Sequence, residues 1–262
     1  MSDGLFVQER RRIILEKLKQ RGRVAVKDLS DLLHVSAVTI RHDLRALEEA
    51  GLLERTYGGA VIRSGEPVLQ ELSFNVRQMK NHAQKDAIAQ AAAALVHDGF
   101  SIALDSSTSS YALVPHLLKF DRLTIVTNSL VVAQGFLNNS QFRVLMPGGR
   151  LRRDAISLVG QPESLPKVNL NLGFFSARGL DDVVGISEID PDEAVIKRAL
   201  FSYCVAPVFL IDGSKWGQVA PYTIVPPQQI RHIITSQNAP AELVQRFRSQ
   251  NVQVDLVPYS DV

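Results

Sequence analysis

The chain has one cysteine, Cys204, in 262 residues. A lone thiol excludes an internal disulfide framework and any metal site built on clustered cysteines, and it fits a reducing compartment, for which the cytoplasm is expected. No run of residues is long and apolar enough to span a membrane as a helix, and the N-terminus lacks the apolar core of a secretory signal. Six histidines are scattered without ligand spacing; Arg41-His42 and Arg231-His232 are not ligand pairs, so no metal and no cofactor is expected. No serine stands in a G-x-S-x-G elbow, which removes that class of hydrolase.

What is present is an ordinary globular composition, 45% hydrophobic and 21% charged, on a chain long enough for two domains. The net charge of +2 is unevenly spread: residues 1–63 hold 12 Lys+Arg against 9 Asp+Glu, and the remainder 17 against 18. The basic excess includes Arg10, Arg11, Arg12, Arg21 and Arg23, and a basic excess favours phosphate binding.

Residues 24–60 read as helix, tight turn, helix and a short hairpin with two glycines at its tip. That is the layout of a winged helix-turn-helix, which places one helix in the DNA major groove. A first helix is expected from about Gln8 to Arg21, closed by Gly22, and a second from Val26 to His34. Ser36 has the chemistry of an N-cap for the third, in which Ile40, Leu44 and Leu47 form a buried face and Gly51 marks the end. The opposite face presents Ala37, Val38, Arg41, His42 and Arg45. Arg41 can fork onto a guanine edge, clamp a phosphate, or instead pair with Asp43 or Glu48. Ser36 and Thr39 lie where hydroxyls and helix N–H groups meet a phosphate, while Ala37 and Val38 are short enough for close approach to a thymine methyl. Arg55 and Tyr57, beside Gly58-Gly59, form the wing.

The segment Arg12 through Gly59 resembles the N-terminal domain of the DeoR family of bacterial transcriptional repressors. The resemblance is carried by Ser36-x-x-Thr39-Ile40-Arg41-x-Asp43-Leu44, by Leu47-Glu48, and by the wing Arg55-Thr56-Tyr57-Gly58-Gly59-Ala60. His42 departs from it, since that position is more often Arg or Lys.

Residues 63–75 contain Gly65 and Pro67 and break the pattern. The expected organisation is therefore a DNA-binding domain over 1–63, a linker over 64–80 and a second domain over 81–262. An alanine-rich helix is expected from Lys80 to His97. From Phe100 onwards apolar runs alternate with helical ones: strands at SIALDSS, LTIVTNS, RVLMPGG, PVFLIDGS, RHIITS and VQVDLV, helices at SSYALVPHLLK, LVVAQGFLNN, DEAVIKRALFSYC and AELVQRFRSQ. Such alternation implies an α/β fold with a largely parallel sheet covered on both faces, and ligands bind beyond the carboxyl ends of its strands.

Polar residues collect at those ends. Asp105, Ser106, Ser107, Thr108, Ser109 and Ser110 follow the first strand, and Thr127-Asn128-Ser129 the second. Pro147-Gly148-Gly149-Arg150 follows the third, and Asp212-Gly213-Ser214-Lys215 a later one. Hydroxyls, backbone N–H groups and a lysine suit a phosphate, and carboxylates suit sugar hydroxyls. Asp105, Asp212 and Lys215 could equally do acid–base work in a cleft, which is the reading of a sugar-phosphate isomerase with an attached DNA-binding domain.

The second domain resembles the DeoR-family sensor domain, which is similar in fold to ribose-5-phosphate isomerase and its sugar-phosphate-binding relatives. Arg77, Asn81 and Lys85 match in the connecting helix; Thr127-Asn128, Gly148-Gly149 with Arg152, Ser157 and Gly160, the stretch Gly185 to Arg198 with Glu193 and Lys197, and Asp212, Ser214, Lys215 and Gly217 match the later blocks. The resemblance thus adds Arg152, Glu193 and Lys197 to the effector site. Two positions depart: Ser107 replaces a glycine in the Asp105–Ser110 loop, and Arg178 stands where the family often has Asp. Arg178 either accepts a second acidic group on the effector or pairs with Asp181 or Asp182.

The resemblance implies a cytoplasmic repressor of a carbohydrate catabolic operon, relieved by a phosphorylated sugar. It is expected to be no enzyme and to act as a homodimer or homotetramer on repeated half-sites of double-stranded operator DNA, with no membrane partner.

Overall fold

The computed structural model describes residues 7–49, 52–61 and 73–260, which fall into two units, one reaching Lys80 and one starting at Asn81. The helix end expected at Gly51 and the linker residues Gly65 and Pro67 lie outside the described residues.

In the first unit, helix α1 (Val7–Arg21) is followed by strand β1 (Arg23–Ala25), α2 (Val26–Leu33) and α3 (Ala37–Glu49). His34 takes a left-handed conformation (φ 52°) and donates its N–H to Ser30 O, which closes α2. Strands β2 (Glu54–Thr56) and β3 (Gly59–Val61) form the hairpin, paired antiparallel in the order β1-β3-β2. Ile14 and Leu18 from α1, Leu29 and Leu33 from α2, and Ile40, Leu44 and Leu47 from α3 share one core with Leu53 and Ala60. Helix α4 (Phe74–Met79) ends the unit, with Met79 packed on that core.

The two hairpin glycines serve different ends. Gly58 has φ +94°, which L side chains rarely adopt. Gly59 is needed for space: a Cβ there would sit 2.0 Å from Val24 O, so β3 can approach β1 only without a side chain. Gly59→Ala is expected to cost about 1–3 kcal/mol through forced displacement of the strand. Denaturant unfolding of the full chain checks this; an unchanged first transition contradicts the close approach.

The second unit is built on a seven-stranded, wholly parallel sheet. In chain order it comprises α5 (His82–Ala93), β4 (Ser101–Leu104), α6 (Thr108–Tyr111), α7 (Val114–Leu117), β5 (Thr124–Thr127), α8 (Leu130–Gln134) and β6 (Arg143–Leu145). A hairpin follows, β7 (Arg150–Arg152) and β8 (Ser157–Val159), then β9 (Leu170–Phe175), β10 (Gly179–Asp181), β11 (Gly185–Glu188) and α9 (Pro191–Ser202). The unit ends with β12 (Cys204–Ile211), β13 (Tyr222–Val225), β14 (His232–Ser236), α10 (Ala241–Ser249) and β15 (Gln253–Val257). The sheet order is β15-β14-β12-β9-β4-β5-β6, while β10, β11 and β13 form a small antiparallel sheet.

Alternation along the strands separates two cores. Ile102 and Leu104 of β4, with Leu172 and Phe174 of β9, face α5, α7 and α8 through Ile88, Ala92, Leu117 and Val132. Ala103 and Phe175 point the other way, to Ile196 and Leu200 of α9 and Phe247 of α10. The chain moves outward from β4 to β5 and β6, returns to β9 beside β4, and moves outward on the other side through β12, β14 and β15. The loops after β4 and β9 therefore diverge, which makes their carboxyl ends the switch point where such sheets bind ligands.

Three expected elements differ, and several strands were not expected. The helix expected over Lys80–His97 is α5 alone, because Asn81 adopts a left-handed φ of 54° that parts it from α4. The helix expected across Pro115 is two short ones, with Pro115 at the start of α7, where its missing N–H breaks no helical bond. α8 stops at Gln134 with Gly135 as its cap, short of the expected length. Strand β9, central to the sheet, is absent from the sequence expectations, as are β7, β8, β10, β11 and β13.

Candidate DNA-reading face and effector site

Helix α3 is anchored at its N-terminus and at its middle. Ser36 Oγ accepts from Thr39 N at 3.1 Å and lies 2.9 Å from Thr39 Oγ1, so the Ser36 hydroxyl caps the first turn and the Thr39 hydroxyl packs against it. Asp43, 1% exposed, is held by Arg10 Nε at 2.5 Å and Arg11 Nε at 3.0 Å. Two arginines of the basic run thus lock α1 to α3 and do not serve as free phosphate contacts, a correction to the charge reading. Arg12 lies 3.8 Å from Glu16 on its own helix.

With Ile40, Leu44 and Leu47 buried, Val38, Arg41, His42 and Arg45 are left exposed on the other face, and Ala37 half-buried. Arg41 does not pair with Asp43 or Glu48: Asp43 belongs to Arg10 and Arg11, and Glu48 accepts from Arg55 N at 2.9 Å and lies 3.7 Å from its guanidinium. Among the described residues neither Arg41 nor Arg45 forms an ion pair. Val38 is 71% exposed and Tyr57, at the hairpin turn, is fully exposed. Burial in the unit's own core accounts for neither, and an apolar side chain beside two unpaired arginines suits a groove of bases between phosphates.

In the second unit, the switch point carries a network of buried charge. Asp105, at the end of β4, is fully buried with both oxygens engaged. Oδ1 accepts from Ser107 N at 3.0 Å and Ser110 Oγ at 2.6 Å, and Oδ2 from Ser176 N at 2.9 Å with Lys197 Nζ at 3.2 Å. Lys197, projecting from α9, also donates to Ser176 O at 3.2 Å and Glu188 Oε2 at 2.6 Å. Burial alone raises a carboxyl pKa, but Lys197 and then Arg178 bring Glu188 down to about 2. The same carboxylates, Glu188 ahead of Asp105, hold the Lys197 ammonium above the ordinary lysine value against its burial.

Lys215, following β12, donates to Ser176 Oγ at 2.6 Å and Ser109 Oγ at 3.4 Å, and lies 3.4 Å from Asp212 Oδ2. Burial lowers its pKa, Asp212 opposes that, and the nearby Lys197 and Arg178 lower it further. Asp212 is held through one oxygen: Oδ1 accepts from Asn81 Nδ2 at 3.0 Å and from Ser214 Oγ at 2.5 Å. Burial would raise its carboxyl; Lys215 and Lys85 hold it far below the usual range instead.

A second cluster centres on Glu193, in the first turn of α9. The carboxylate accepts from Ser106 Oγ at 2.7 Å, Asn128 Nδ2 at 3.3 Å and Ser157 Oγ, with Arg152 at 3.8 Å. Burial raises its pKa in spite of these donors. Arg152 also binds Asp154 at 2.7 Å and lies 3.5 Å from Asp190.

Several expected residues come together here: Asp105, Ser106, Ser109, Asn128, Arg152, Arg178, Glu193, Lys197, Asp212 and Lys215. Ser107 has an ordinary φ of −80° and caps α6, its Oγ accepting from Ser110 N at 3.0 Å, so this turn needs no glycine. Thr108 is buried in the first turn of α6. Thr127 Oγ1 accepts from Ser129 N within its own loop. Gly148 and Gly149 lie at the base of the β7–β8 hairpin, where a Cβ on Gly149 would meet Val159 O at 2.4 Å. Arg178 pairs with Glu188 at 3.4 Å and not with Asp181 or Asp182. Its backbone N–H bonds Ser187 O, which sets it beside Glu188, while Asp181 accepts from Val183 N and Val184 N and Asp182 is bound by Arg246. Ser176 and Glu188, both central to the network, were not foreseen. Each ends a strand that Gly173 or shortness conceals, and a polar residue closing an apolar run was the available signal.

Among the described residues no helix is long and apolar enough to cross a membrane, and no group of His, Cys, Asp and Glu could hold a metal ion.

Known families match both units. The DeoR-like helix-turn-helix domain matches residues 10–66 and the DeoR C terminal sensor domain residues 80–237. The HTH-type transcriptional regulator YgbI of Escherichia coli (strain K12) is 35% identical over 94% of this chain and 96% of its own length. The glycerol-3-phosphate regulon repressor of the same strain is 28% identical over 93% and 96%. Among solved structures, ribose 5-phosphate isomerase A from Methanocaldococcus jannaschii aligns at a TM-score of 0.39 and 14% identity, over 52% of this chain and 55% of its own. With a sensor-domain match over most of the second unit and a full-length relative at 35% identity, the chain belongs to the DeoR family of DNA-binding transcriptional regulators.

Proposed function

We propose that this protein represses a carbohydrate catabolic operon and releases its operator when the second unit binds a phosphorylated sugar. Lys215 is the observation that carries this reading. Its side chain is 16% exposed, its ammonium faces two serine hydroxyls, and Lys197 and Arg178 add positive potential beside it. A phosphate dianion offsets that potential. The glycerol-3-phosphate regulon repressor among its relatives supports a phosphorylated polyol as ligand class. We place the site at Ser106, Ser107, Thr108, Ser109, Thr127, Asn128 and Lys215, braced by Asp105, Arg152, Arg178, Glu193, Lys197 and Asp212, with Gly148 and Gly149 at its hairpin edge.

The protein acts by binding and not by turnover. A general base needs a free lone pair and a pKa near working pH. Both oxygens of Asp105 are engaged by donors, and the Asp212 carboxyl is held far below the usual carboxylate range, which makes it a poor base. Assembly is as a homodimer or homotetramer in the cytoplasm, since helix-turn-helix domains act in pairs on repeated half-sites.

Lys215→Ala is expected to leave operator binding intact and to weaken the effector response about 10–100-fold, the value of one charge-assisted hydrogen bond. An unchanged response curve removes Lys215 from the site. The pH dependence has a defined sign. Because its pKa is depressed, Lys215 loses its proton at lower pH than an ordinary lysine, so effector affinity falls as pH rises through that depressed value. Anion binding raises the pKa again and takes up protons, which calorimetry in buffers of different ionisation enthalpy detects.

A further inference from the structure

Asn128 follows β5 and is fully buried. Its backbone carbonyl accepts from Leu158 N at 2.7 Å, and its amide nitrogen donates to Leu158 O at 3.2 Å and Glu193 Oε2 at 3.3 Å. The Leu158 carbonyl can only accept, so turning the amide over would set Oδ1 against it; that contact fixes the side chain one way round. Oδ1 is then a buried side-chain acceptor with no hydrogen-bond partner among the described residues. An unmet buried acceptor carries its full desolvation cost, and such atoms are kept where something donates to them. The neighbouring hydroxyls do not: Ser106 and Ser157 both give their protons to Glu193.

We infer that Asn128 Oδ1 accepts a hydrogen bond from one hydroxyl of the effector, making Asn128 the residue that selects which sugar carbon must carry it. The inference rests on the sugar-phosphate reading above and sharpens it. The ligand must present a donor here, beside the Glu193 carboxylate, so a second phosphate or a carboxylate at this point is rejected. The effector therefore has an anionic end at Lys215 and an uncharged, hydroxyl-bearing end at Asn128.

The test uses the full-length protein and calorimetric titration with ribose 5-phosphate, glucose 6-phosphate, galactose 6-phosphate and fructose 6-phosphate. It then uses monodeoxy analogues of whichever binds most tightly, on wild type and on Asn128→Ala. In wild type, loss of one particular hydroxyl is expected to weaken binding about 10–100-fold, and the other deoxy analogues much less. In Asn128→Ala that one analogue and its parent should bind alike. A uniform loss for parent and all analogues makes the amide structural, or satisfied by water, and overturns the inference while leaving the sugar-phosphate reading standing. If none of the four sugars binds wild type, the underlying reading falls and this inference with it. Should Asn128→Ala fail to fold, Asn128→Ser is compared in the same way.

Discussion

Lys197→Met is expected to destabilise the second unit by about 3–5 kcal/mol, because removing one partner strands the others as unpaired buried charge. For a unit of this size that lowers its melting transition by about 10 °C. Lys197 is 5% exposed and pairs with Asp105 and Glu188, which are 0% and 7% exposed; without it Asp105 loses its cation and Glu188 keeps only Arg178. Lys197→Met combined with Glu188→Gln should be less destabilising than Lys197→Met alone. An additive double variant contradicts the coupling. The same pair gives the acid limb of stability. Glu188 titrates at about 2 when folded against 4.5 when unfolded, so its contribution is present above the unfolded value and is lost as pH falls from 4.5 towards 2. Glu193 has the opposite sign, since burial raises its pKa and its ionisation therefore works against folding.

Arg41→Ala is expected to weaken operator binding by about 10–100-fold for each recognition helix, the worth of one bidentate arginine contact to a base. Stability should move by less than about 0.5 kcal/mol, because Arg41 is exposed and forms no ion pair among the described residues. Arg45→Ala offers a contrast. If it touches phosphate, binding weakens about equally on all sequences and the salt slope falls by about 1. Fluorescence anisotropy on operator and scrambled duplexes at several salt concentrations separates the two. An Arg41→Ala protein that keeps wild-type operator affinity removes Arg41 from base reading.

The parts of this protein legible in its sequence are those governed by one local rule. Ile40, Leu44 and Leu47 at helical spacing, Ser36 ahead of them and Gly58-Gly59 behind require no knowledge of distant residues, and all lie as their spacing implies. The continuous apolar runs of β4, β5, β12 and β14 were equally plain, because strands buried on both faces carry no polar interruption. β9 was hidden by Asn169, Asn171 and Gly173, residues that depress strand propensity. Tertiary context explains two of them: Asn171 Oδ1 accepts from Ser101 N, and Gly173 leaves room for Cys204 and Phe175. Missing β9 meant missing Ser176 at its end, which touches Asp105, Lys197 and Lys215 at once. Long-range pairing also decided the fate of charges. Nothing local distinguishes Arg10 from Arg41, yet one is buried on Asp43 and the other faces solvent. Arg178 likewise found Glu188 through strand register and not through its sequence neighbours.

The most direct test of the central claim is a titration of the purified protein bound to its own upstream duplex with the phosphorylated sugars named above, followed by anisotropy at fixed salt. The account predicts saturable, sequence-dependent binding that at least one phosphorylated sugar releases, with Lys215→Ala shifting that release to higher concentration. Binding that is indifferent to sequence and to every phosphorylated sugar would contradict it.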